Sequence, residues 1–119
     1  MTNNEIILLY EGILELKKKQ LEVDATTCFL LATNKKRLEP IADSITEASQ
    51  LLFKKYAERV GTELKILPEH TDEFWDEYHK LMAIETEVQL EKIPIEKLNN
   101  IKISLDVMEY LLPIIEYKN

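Results

Sequence analysis

The chain has 119 residues, 45% of them hydrophobic and 31% charged, with two Gly, four Pro, one Cys and a net charge of −7. That length suits a single domain, residues 1–119, with one modest core. So few Gly exclude collagen-like, linker-like and Gly-rich phosphate-loop designs. No run of ~18 uncharged apolar residues offers a membrane-spanning helix.

The opening Met1-Thr2-Asn3-Asn4-Glu5 is polar and acidic where a secretory signal is basic and then apolar. A lone Cys28 has no intramolecular disulfide partner, which suits a reducing cytoplasm. Residues 1–60 carry as many bases as acids, so the whole excess of −7 lies in residues 61–119. Such an acidic surface repels phosphate backbones and argues against general nucleic-acid binding. The expectation is a soluble, helix-rich cytoplasmic protein.

Ile6, Leu9, Ile13 and Leu16 recur at helical spacing and predict a first helix over residues 3–20, with Lys17, Lys18 and Lys19 complementing its C-terminal dipole. Gly12 in that pattern points to the close approach of another helix. Gln20-Leu21-Glu22-Val23 is the expected break, and Asp24 is a good N-cap for a long helix from Ala25 to Val60. Leu31, Leu38, Ile45 and Leu52 lie one heptad apart along it and form a seam for another helix, the first helix being the nearest. Because this helix outruns its partner, the same seam is expected to carry a homo-oligomer, most simply a two-fold dimer. Pro40 predicts a kink or short break, and Gly61 is placed to close the helix.

Glu63–Leu67 reads as a short strand stopped by Pro68, and a third helix is expected from His70 or Thr71, with Phe74, Trp75, Tyr78, Leu81 and Met82 on its apolar face. Ile84, Thr86, Val88 and Leu90 alternate with Glu85, Glu87, Gln89 and Glu91, the clearest strand pattern in the chain. This segment either pairs with 63–67 or lies alone across the helical hairpin. One turn is expected at Glu96-Lys97-Leu98. Ser104 then caps a last helix with Leu105, Met108, Leu111, Leu112 and Ile115 inward and Pro113 ending or bending it.

Several patterns resemble a family of small phage and prophage proteins of unknown function. Leu21-x-Val23 leading into Ala32-Thr33-Asn34-Lys35-Lys36-Arg37-Leu38-Glu39 is similar to that family's loop and central helix. Glu87-Val88-Gln89-Leu90-x-x-Ile93-Pro94-Ile95-x-x-Leu98 resembles a second signature, and Leu111-Leu112-Pro113-Ile114-Ile115-Glu116 its terminal helix. A Tyr of the family pattern is missing near Cys28. The family has no established catalytic residues. The resemblance implies a phage-encoded protein working inside a bacterial host, with interference in a host defence among the roles it admits.

Asp72, Asp76 and His79 share one helical face, a spacing able to hold a divalent ion, but acids in a first turn already suit the helix dipole, and the preferred reading is a solvated acidic face. No metal is assigned there. Cys28 is expected to be a buried small side chain rather than a nucleophile. Lys17, Lys18, Lys19 and Lys35, Lys36, Arg37 form two basic clusters. With about 15–20 Å between the second cluster and the turn, they would bracket a phosphorylated ligand only across two subunits. Trp75 and Tyr78 are the aromatic pair suited to a partner surface, Tyr78 being expected in the core.

The sequence therefore predicts a mainly α fold: a long kinked antiparallel helical hairpin, two shorter helices and at most a small two-stranded β element. The leading function is non-enzymatic, with no cofactor, acting by self-association or by binding a host protein. The alternative is a binder that sequesters a phosphorylated or nucleotide small molecule at a subunit interface.

Overall fold

The structure, a computed structural model, describes residues 1–19 and 22–117. The expected break at Gln20 and Leu21 lies outside the described residues. Helix α1 (Asn3–Lys18) opens on a capping box, in which the Thr2 hydroxyl accepts from the Glu5 N–H at 3.1 Å while the Glu5 carboxylate accepts from the Thr2 N–H at 2.9 Å. Its stripe of Ile6, Leu9, Ile13 and Leu16 is buried. Gly12 lies on that side: a β-carbon there would sit 3.2 Å from the Tyr110 Cβ and 3.3 Å from a Leu111 methyl. The missing side chain is what lets the last helix approach.

Helix α2 (Ala25–Tyr56) starts at Asp24, whose carboxylate accepts from the Thr27 N–H at 2.8 Å. Its buried stripe runs Thr27, Leu31, Asn34, Leu38, Ala42 and Ile45 at helical spacing. The short break expected at Pro40 does not occur. Pro40 sits on the exposed side of an unbroken helix, where a carbonyl left without its helical donor is not buried away from solvent, and the Ser44 hydroxyl donates to the Pro40 carbonyl at 3.0 Å.

The helix ends at Tyr56 rather than Val60. Ala57–Val60 forms β1, which pairs antiparallel with β2 (Glu63–Ile66) around Gly61-Thr62. Gly61, at φ 69°, serves this hairpin turn and not a helix end. A two-residue loop led by Gly matches strand twist, and this local signal stops the helix early.

Helix α3 (Pro68–Met82) begins before the expected Thr71 because Pro68 occupies the first turn, where a missing N–H costs nothing. Thr71 is inside the helix, its hydroxyl donating to the Leu67 carbonyl at 3.2 Å. The alternating segment from Ile84 to Glu91 is not a ladder strand; it lies alone, with an isolated bridge between Thr2 and Glu85. Neighbouring residues satisfy its backbone instead. The Asn3 N–H donates to the Ile84 carbonyl at 2.9 Å and the Thr86 N–H to the Met1 carbonyl at 2.8 Å. Asn34 grips Glu91 twice, donating to its carbonyl at 2.9 Å and accepting from its N–H at 2.7 Å. Arg37 donates to the Gln89 carbonyl at 3.0 Å.

Strand β3 (Ile93–Pro94) pairs in parallel with β4 (Ile115–Glu116). Between them lie a 3₁₀ turn (Ile95–Leu98), helix α4 (Leu105–Leu111), capped by Ser104, and a 3₁₀ turn containing Pro113 (Leu112–Ile114). Leu111 and Ile115 face inward as expected, but Leu105 is 76% exposed and Leu112 is also exposed, Ile114 taking the inner place. The switch to 3₁₀ geometry at Leu112–Ile114 turns each residue by more than α spacing assumes, about 120° against about 100°.

The fold is thus mainly α with two small two-stranded pairings. Its extents are 51 × 29 × 24 Å and its radius of gyration is 17.5 Å, against about 13–14 Å for a compact chain of this length. Helix α2 is the spine. Its first half packs on α1, which in turn meets α4, while α3 packs on α2 and the β1–β2 hairpin continues from its end.

Candidate functional site

Leu31, Leu38 and Ile45 are buried in the chain's own core beside α1, and Leu52 is half-buried. The seam therefore offers little to a second copy, a correction to the expected oligomer surface. Its apolar side is consumed by the intramolecular hairpin.

The aromatic pair lies on the outer arm formed by the end of α2, the β1–β2 hairpin and α3. Trp75 is 47% exposed and Tyr78 half-buried. Both touch Phe74, the one buried aromatic among the described residues. Tyr78 stacks on it at 5.9 Å between centroids and Trp75 meets it edge-on at 5.2 Å. From the end of α2, Phe53 and Tyr56 meet Phe74 edge-on at 6.5 and 6.4 Å.

Lys55 braces the joint, pairing with both Glu77 oxygens at 3.1 Å. A hydrogen bond to Tyr56, with Lys55 behind it, lowers the Glu77 carboxyl, and the same contact with Glu77 raises the Tyr56 phenol. Leu51, Phe53, Val60, Leu64 and Ile84 stay exposed on this arm. A groove of about 600 Å³ runs between Phe53, Leu64 and Phe74, and another of about 530 Å³ between Leu51, Leu52 and Ile84.

Asp72, Asp76 and His79 are all exposed on α3, and among the described residues no group of three His, Cys, Asp or Glu side chains is placed to hold a metal ion. Their helix is amphipathic, and these residues occupy its wet side.

The basic clusters are split differently from the expectation. Lys17, Lys35 and Lys36 line one groove of about 400 Å³ between α1 and α2 within a single chain. Bringing part of both clusters together takes no second subunit, because α2 folds back along α1. The remaining members are engaged elsewhere. Lys18 pairs with Glu15 at 3.1 Å, Lys19 donates to the Lys102 carbonyl, and Arg37 pairs with Glu91 at 3.1 Å. Lys35 itself pairs with Glu39 at 3.1 Å, which raises its ammonium above the ordinary value. Lys17 and Lys36 have no ion pair among the described residues.

Cys28, expected to be buried, is exposed and lines the same groove, its thiol 3.9 Å from the Val23 carbonyl. The buried position is Thr27, one residue earlier, which is in phase with Leu31 and Asn34. Asn34 is the buried polar residue that reading for apolar positions missed, and its role is to hold the Glu91 backbone. Its signal was present: a polar residue in phase with Leu31 and Leu38 is buried, and a buried amide needs partners.

Family models, curated proteins and solved structures were each compared with the chain, and none matches it.

Proposed function

We propose that this protein is not an enzyme and that it works by protein–protein contact through the outer arm, a second copy of the chain being its first partner. One observation carries the reading: Leu51, Phe53, Val60, Leu64, Trp75 and Ile84 are all exposed on that arm. Exposed large apolar side chains concentrated on one arm mark interaction sites, and an exposed Trp is a common source of binding energy.

The charges around it alternate in sign. Lys54, Lys55, Lys65 and Lys80 stand among Glu58, Glu63, Glu73 and Glu77. A patch of mixed charge is self-complementary under a two-fold axis, which favours association of like with like. A host protein is the second partner in this reading. The resemblance to small phage and prophage proteins supplies that setting, and interference with a host defence is the role such contact would serve in a bacterial cytoplasm.

Sedimentation over a concentration series tests the surface. The wild type should move at tens of micromolar as twice its 14.0 kDa chain mass. Leu64→Asp or Trp75→Ala should return it to the monomer with the melting temperature nearly kept. A wild-type monomer removes the self-contact, and a host partner still captured by both variants removes the surface.

A further inference from the structure

We infer that the groove between α1 and the first half of α2 binds an amphipathic anion, a medium-chain aliphatic carboxylate. Its floor is aliphatic, made by Ile13, Leu16, Val23 and Leu31. Lys17 and Lys36, both exposed and both without an ion pair among the described residues, supply positive charge beside that floor in a chain whose net charge is −7. Its volume of about 400 Å³ falls within the ~300–1,000 Å³ of small-molecule sites.

The lining chooses between ligand classes. A nucleotide base needs hydrogen-bond partners for its polar edge and gains from an aromatic face, and the residues lining this groove offer no aromatic ring and no Ser, Thr, Asn or Gln. A phosphate is best held by an Arg fork or by open helix N–H groups. Arg37 is committed to Glu91 and Gln89, the Asp24 carboxylate already caps the first turn of α2 through the Thr27 N–H, and none of the residues of that turn but Cys28 lines the groove. Two lysine point charges beside an aliphatic trough match one carboxylate with a hydrocarbon tail. Along α2 the lining runs from Cys28 to Lys36, a rise of about 12 Å, the reach of a chain of about ten carbons.

This site lies away from the outer arm, so its failure leaves the proposed protein contact standing. Cys28 is the chain's one thiol and lines the groove, so it reports occupancy directly. The experiment follows the rate of Cys28 alkylation by N-ethylmaleimide on the intact protein, with decanoate as the probe below its micellar concentration. Decanoate at ten times its dissociation constant should slow labelling about tenfold and raise the melting temperature. 1-Decanol, AMP and inorganic phosphate should leave the rate unchanged. A Lys17→Glu, Lys36→Glu double variant should keep its melting temperature and lose the protection, while the Lys17→Arg, Lys36→Arg pair should retain it. Labelling unaffected or accelerated by decanoate overturns the proposal. So does equal protection by decanol, which would leave the lysines without a role, or protection by AMP.

Discussion

The two ends of α2 are stabilised in different ways. Around its first half every buried hydrophobic side chain is aliphatic: Ile6, Leu9, Leu16, Leu38, Ile93, Leu111 and Ile114 are all under 2% exposed. Beyond Ile45 the one buried side chain on this arm among the described residues is Phe74, and its packing consists of contacts with the half-buried or exposed rings of Phe53, Tyr56, Trp75 and Tyr78. The inner end is layered, with α1 between α2 and α4, so each helix has a partner to cover its apolar stripe. The outer end has one helix and a two-stranded hairpin against the spine, too little to enclose a core. Aliphatic side chains need full enclosure to contribute, whereas aromatic rings gain from edge and face contacts even when partly wet. The same sequence economy that leaves the arm incompletely buried leaves it available for a partner.

The strongest way to break this contrast is Ile45→Asp. A charge placed in the inner core, where Ile45 is buried, should cost more than about 4 kcal/mol and unfold the whole chain in equilibrium denaturation. Phe74→Ala should cost about 3 kcal/mol, but locally. Hydrogen exchange should show amides of α3 and the hairpin losing protection while those of α1 keep theirs. Equal loss at both ends would mean that the chain unfolds as one unit.

Asn34→Ala should cost about 2 kcal/mol, since it leaves both the N–H and the carbonyl of Glu91 without their partner. The Glu91 amide should exchange faster, and the segment before Ile93 should loosen with it.

The smallest effect is at the start of the spine. Hydrogen bonding from Thr27, reinforced by Lys97 at 2.9 Å, holds the Asp24 carboxyl well below the usual carboxylate range. A depressed native value stabilises the folded chain above the ordinary carboxylate pKa, and that contribution disappears as pH falls from about 4 downward through the native value. Melting temperature followed from about pH 6 to about pH 2 should fall more for the wild type than for Asp24→Asn. Parallel curves would remove Asp24 as a contributor.

Local patterns made the helices legible, and they also show where legibility ends. Asp24 and Ser104 each cap a helix because a short polar side chain needs only its own next turn to bond. The stripe of α1 and the close approach at Gly12 follow from spacing in one element. The segment from Ile84 to Glu91 has the alternation of a strand yet bonds to Asn34, Arg37 and the N-terminus. Period two records that alternate side chains are covered, not what covers them. In the candidate sites, Trp75 and Tyr78 were readable from their residue types, whereas Leu51, Phe53 and Leu64 became part of the surface only when the arm ran out of neighbours.

The sequence by itself determined the mainly helical fold, the caps, the hairpin connection and the location of the excess acid, since each depends on contacts within a few residues or on composition alone. Tertiary structure decided what the faces do. It turned the Leu31–Leu38–Ile45 seam inward against α1, drew Lys17 and Lys36 from separate clusters to one groove, and put Cys28 beside them. Those outcomes depend on which helix reaches which face, and a one-position phase difference, Thr27 inward and Cys28 outward, turns a helical side chain by about 100°.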